Sequence, residues 1–154
     1  LVNVRGYQAS KCTEKSIAKA AGRLTYAYAN ASVPKVTVIA KDALGSAGLT
    51  MGSKSLGTDI VYAWTGASIG MMDAKEAAKI MYAKEIEAAG DAVALINEKA
   101  GEYAALQSSA LSAAKRGYVD DIIEARETRQ RVIAAFEMLF TKSEDRPSKK
   151  HGTV

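Results

Sequence analysis

The side chains that most often do chemistry are scarce in this chain, which has one histidine, His151, and one cysteine, Cys12. Ser-His and Cys-His catalysis needs an ordered imidazole beside the nucleophile. His151 stands three residues from the end, in R-P-S-K-K-H-G-T-V, where chains are seldom tied down. A hydrolase triad, an internal disulfide and a thiolate metal cluster are therefore not expected. Backbone amides remain. Lys41 to Lys54, K-D-A-L-G-S-A-G-L-T-M-G-S-K, follows an apolar run and keeps Gly45, Ser46, Ala47 and Gly48 small where a core would favour bulk. A strand that turns through such residues into a helix presents unpaired N–H groups at the positive end of the helix dipole. Phosphate binding is a weak reading, because no Gly-Lys pair completes G-x-x-x-x-G-K-[ST]. An oxyanion hole is a second reading and needs no histidine. Close packing of a helix on its own strand is a third, and it too demands small residues.

The elements that must hold this turn are legible from periodicity. Ile17, Ala21, Leu24, Tyr28 and Ala31 recur at helical spacing between Thr13 and Ala31, and S-V-P-K ends that helix at Pro34. Val36 to Ala40, V-T-V-I-A, reads as a strand covered on both faces. A short helix is expected after the turn, then two strands in Asp59–Trp64 and Ala67–Met72. Asp73 with Glu76 imitates a capping box, Gly90-Asp91 resembles a stop and a new cap, and Gly101 is a weak point in the helix that follows. Arg116 to Glu124 combines a glycine turn with a short apolar segment. Glu127 to Phe140 carries an apolar stripe of Val132, Ile133, Phe136, Leu139 and Phe140.

Strands interleaved with helices indicate an α/β domain. Three or four strands leave an edge or face open, so a piece of something larger, or an obligate assembly, is expected. The 154 residues, 48% apolar and 25% charged, suit one globular domain. No apolar stretch approaches bilayer length and no secretory layout opens the chain, so a cytoplasmic protein without membrane insertion is expected. The formal charge is +4. Lys11, Lys15, Lys19 and Arg23 step four apart along one helix face, read as a solvated face. Nucleic acid is not an expected partner.

K-V-T-V-I-A-K-D-A-L-G-S-A-G-L-T-M-G-S-K-S-L-G-T-D-I-V-Y-A-W resembles the biotin-dependent acyl-CoA carboxyltransferases, the β-type subunits of propionyl-CoA and acetyl-CoA carboxylases, especially their transcarboxylase and decarboxylase branch. A-S-I-G-M-M-D-A-K-E-A-A-K-I-M-Y, K-R-G-Y-V-D-D-I-I-E and T-R-Q-R-V-I-A-A-F-E-M-L-F stand in the same order as similar segments of that family, and R-P-S-K-K-H-G follows. V-N-V-R-G-Y is only loosely similar to the family's D-x-P-G-F, and nothing is carried over onto Ala110 and Leu111. The whole chain resembles about the last third of the family's polypeptide.

The resemblance implies a crotonase-like fold, a superhelix of ββα units, here a partial C-terminal half-domain over residues 1–141 followed by a basic tail at 142–154. It implies carboxyl transfer between carboxybiotin, delivered by a biotin carboxyl carrier protein or domain, and a short acyl-CoA. This chain then supplies the biotin side of a composite site completed by an N-terminal carboxyltransferase half or a partner subunit. A homo-oligomer and no metal are expected. Backbone N–H groups of Ser46 and Ala47 fall where the family's oxyanion donors lie, Gly45 to Gly48 form the biotin-side turn, and Leu49 falls where the acyl tail is selected. Ser46 replaces a glycine, Gly48 a common aromatic and Thr65 a common proline. Two other readings stand beside this one: decarboxylation or isomerisation of a CoA thioester on the same fold, and a non-catalytic fragment or assembly module.

Overall fold

The computed structural model describes residues 1–147, so expectations placed on Lys149, Lys150 and His151 lie outside the described residues. Among the described residues five parallel strands form one sheet: β1 (Val2–Val4), β2 (Val36–Leu44), β3 (Ile60–Trp64), β4 (Ser68–Gly70) and β5 (Asp121–Ile123). Two of them, β1 and β5, fall in segments too short to show a period. At the centre, β2 places Ile39 between Val2 and Ala63, and Ala43 between Val4 and Ile69. One edge of β2 therefore carries β1, while the other passes from β3 to β4, with β5 beyond β3. This handover lets β2 run nine residues, well past the five from Val36 to Ala40 that announce it, because β4 pairs with Asp42 to Leu44.

Alternation along β2 and β3 sends side chains into two cores. Ile39, Ala43, Val61 and Ala63 pack with Ala110, Ala113 and Val119 on one face. Val38 and Tyr62 pack with Ile123 and Ala135 on the other. A parallel sheet covered on both faces is the α/β arrangement expected.

Among the described residues seven α-helices accompany these strands, six between them and one after β5: α1 (Lys11–Asn30), α2 (Gly45–Thr50), α3 (Ala74–Met81), α4 (Ala83–Ala88), α5 (Ala92–Tyr103), α6 (Ala110–Lys115) and α7 (Thr128–Met138). Their ends obey capping chemistry. Ser10 Oγ accepts from Thr13 N at 3.1 Å, and Asp91 Oδ1 from Val93 N at 3.1 Å and Ala94 N at 3.0 Å. At the end of α6, Tyr118 N donates to Ala113 O and Gly117 N to Ala114 O, with Gly117 at φ 78°, which is a Schellman motif. Asp73 caps α3 through Lys75 N at 3.0 Å, but Glu76 bonds Lys79 at 2.8 Å instead of returning to the cap. Nor does Gly101 interrupt its helix, since α5 runs through it and a π turn, Ala104–Ser108, follows.

Burial departs from the periodic reading. On α7 it is Ala135 that is buried, while Ile133 and Phe136 are 49% and 45% exposed. A small side chain lets the helix approach the sheet, and the larger ones flank the contact. No residue of α1 is buried, and Lys11, Lys15, Lys19 and Arg23 all face solvent. Beyond α7 the described tail has no regular structure, yet it is held. Lys142 Nζ donates to both oxygens of Asp59 at 2.8 and 2.9 Å, and Arg146 reaches Ala29 O near the carbonyl end of α1.

Candidate functional site

Strand β2 delivers the small-residue turn. Leu44 is still extended, at φ −110°, and Gly45 then takes φ 60°, in the left-handed region that glycine enters without penalty. A Cβ on Gly45 would lie 3.0 Å from Met71 O, so β4's continuation also crowds this position. A Cβ on Gly48 would lie 2.6 Å from the carbonyl carbon of Ala43, closer than real contacts allow. Close packing of α2 on its own strand therefore accounts for Gly48. Ser46 is exposed and Ala47 is buried. Because the left-handed geometry falls on Gly45, and no non-glycine residue among those described has positive φ, a serine side chain at 46 meets no conformational bar.

A cavity of about 340 Å³ lies against the turn. Gly45, Gly48 and Leu49 line it, whereas Ser46 and Ala47 do not. The N–H groups of 46 and 47 nevertheless sit in the peptide links that run from Gly45 toward Gly48. Leu49 is no core leucine, being 47% exposed at the cavity wall.

Ile69, Gly70 and Met71 form an adjoining wall, and the loop from Met51 to Ser55 another. That loop is pinned where Gly52 O accepts from Thr37 Oγ1 at 2.7 Å and from Thr58 Oγ1 at 2.9 Å. Tyr103, Gln107, Arg116 and Tyr118 reach the same cavity from far along the chain. Arg116 donates to the side-chain oxygen of Gln107, a contact no local pattern announces. The buried hydroxyl of Ser53, on the cavity wall, has no hydrogen-bond partner among the described residues.

Charge near the turn is organised by Arg5, which bonds Asp73 and lies 3.7 Å from Asp42. The N–H of Lys75 first, and Arg5 after it, hold the Asp73 carboxyl below the usual aspartate range against an opposing effect of burial. Among the described residues no group of three or more His, Cys, Asp or Glu is placed to hold a metal ion, and no helix is long and apolar enough to cross a membrane.

The sequence matches the carboxyl transferase domain over residues 1–154. The chain belongs to that family. It is 42% identical over 153 residues to the methylmalonyl-CoA carboxyltransferase 12S subunit of Propionibacterium freudenreichii subsp. shermanii, covering 99% of this chain and 29% of that one. It is 41% identical over 155 residues to the methylmalonyl-CoA decarboxylase subunit alpha of Propionigenium modestum, covering 100% of this chain and 30% of that protein. Among solved structures, transcarboxylase 12S with methylmalonyl-coenzyme A and methylmalonic acid bound superposes with a TM-score of 0.92 at 41% identity, over 98% of this chain and 29% of that one. The chain thus spans less than a third of the length of these relatives. Its fold is the crotonase-like α/β fold of the carboxyltransferases, present here in part.

Proposed function

We propose that this carboxyltransferase chain supplies the biotin side of a composite site that moves a carboxyl group between carboxybiotin and a short acyl-CoA. The observation that carries the reading is the Gly45–Leu49 turn, opened by a left-handed glycine and set against the cavity, in a chain of this family. Biotin fits what stands there. A ureido ring offers a carbonyl acceptor to the amides at 46 and 47, and Ser53, on the loop that walls the cavity, has a buried hydroxyl with no hydrogen-bond partner among the described residues. When bound on a carrier domain, biotin supplies the carboxyl group and, once free of it, a base for the α-carbon of the thioester.

The chain's own share is orientation and charge stabilisation. Ser46 N–H and Ala47 N–H donate to an oxygen that gains negative charge, and their fixed backbone needs no reorganisation as that charge develops. Leu49 limits the length of the acyl tail. The apolar residues Ile39 and Ile69 exclude water from the inner wall. The remaining part of the polypeptide, or a partner subunit, completes the acyl-CoA site, and the assembly is a homo-oligomer.

Ala47→Pro removes one N–H and tests the assignment. Biotin-dependent transfer by the complete enzyme should fall roughly a hundredfold, since a lost oxyanion donor costs about 3 kcal/mol of barrier, while Ala47→Ser, which keeps the N–H, retains most of the rate. Unchanged transfer in a folded Ala47→Pro enzyme moves the site elsewhere. The likeness to a decarboxylase subunit favours a second outcome, release of the carboxyl carbon instead of its transfer. Following a labelled carboxyl carbon into product or free carbon dioxide separates the two.

A further inference from the structure

The turn is the second of three neighbouring segments that one cation ties together. After β1, Arg5 extends over the ends of β2 and β4, donating to Asp73 Oδ2 and placing Nε 3.7 Å from Asp42 Oδ2. Asp42 lies in the last part of β2, three residues before Gly45, and its N–H is met by Asn3 Oδ1 at 3.3 Å. Asp73 follows Met71 by two residues and caps α3. In between, Asp42 to Leu44 run in register with Ser68 to Gly70, and Gly45 lies against Met71 O. The two chains then part, one into α2 and the other into α3, and both line the cavity just before they diverge. The strand pairing stops at Leu44 and Gly70, so beyond that point backbone ladder bonds no longer hold the two turns in register.

We propose that Arg5 is a positioning residue for the Gly45–Leu49 turn, acting through Asp42 and Asp73 to fix the spacing of the two strand-to-helix turns that wall the cavity. A guanidinium suits the task because its planar fork can serve two carboxylates at once. It also offsets part of the negative charge of two acids beside a turn meant to receive developing negative charge. Without it, Asp42 and Asp73 would repel one another and oppose that charge.

The inference rests on the catalytic reading of the turn, and its test is chosen to be separable from it. Amide hydrogen exchange in the complete enzyme is the first readout. Arg5→Gln should speed exchange about threefold or more across residues 43–49 and 70–75, leaving β3 unchanged, with Arg5→Lys intermediate. Asp73→Asn keeps a competent cap and should act on the same segments, and the double variant should be no worse than the more severe single one. The second readout is kinetic: kcat falls about three- to tenfold in Arg5→Gln while KM for the acyl-CoA stays within about twofold. Unchanged exchange at both turns, additive effects of the two substitutions, or a loss confined to KM would each overturn the proposal. If Ala47→Pro leaves transfer intact, the catalytic reading fails, and the exchange data still decide whether Arg5 holds the turns.

Discussion

Glycine has two different duties within four residues. At Gly45 the need is conformational, a left-handed φ with Met71 O close by; at Gly48 it is spatial, because α2 lies on the carbonyl of Ala43. Gly48→Ala therefore forces backbone apart rather than filling a void, and such overpacking costs roughly 1–3 kcal/mol. Denaturant unfolding of Gly48→Ala should show a lower midpoint at unchanged slope, and a midpoint equal to wild type would show that α2 can lift without cost. The sequence displays four small residues in a row but not which need each answers. That division depends on what lies opposite, and Met71 is a neighbour only through the pairing of β2 with β4.

Among the elements, those fixed by local chemistry are legible and those fixed by contact are not. The Asp91 cap and the β-branched start of β2 are backbone preferences that a few adjacent residues carry. So is the end of α6. Gly117→Ala places a Cβ at φ 78° in a Schellman motif and should destabilise the protein by about 1 kcal/mol, read as a lower unfolding midpoint. An unshifted midpoint would mean that the α6 end contributes nothing to cooperativity. By contrast, the stripe on α7 is legible only in part, since its Val132 packs on the core beside the buried Ala135 while Ile133 and Phe136 stay exposed. Helical spacing marks a face but not how close that face comes to its neighbour, which the smallest side chain decides.

On the scale of the molecule, the described tail closes over the entrance to β2. Burial raises the Asp59 carboxyl, but Lys142 and the N–H of Lys35 outweigh it, and its pKa lies below the ordinary aspartate value. A carboxylate depressed in the folded state contributes stability that is complete above its unfolded pKa and is lost as pH falls through the folded one. Wild type should therefore lose more stability than Asp59→Asn on acidification from about pH 5 downward, and parallel curves would discount the pair. Isolated from the rest of a composite site, this polypeptide should show negligible carboxyl transfer. Turnover by the purified, monomeric chain would refute the half-site reading.

What the sequence determined by itself was the family, the order of the principal elements and the place of the glycine turn. Each rests on residues adjacent in the chain, where φ preferences, caps and separated blocks in a fixed order are local properties. Only the tertiary structure decided that β2 changes partner from β3 to β4, that Leu49 faces a cavity, and that Arg5 reaches Asp42 and Asp73. The cavity gathers walls from segments as distant as Gly45 and Arg116. Burial and enclosure are sums over such non-local neighbours, and no run of adjacent residues contains them.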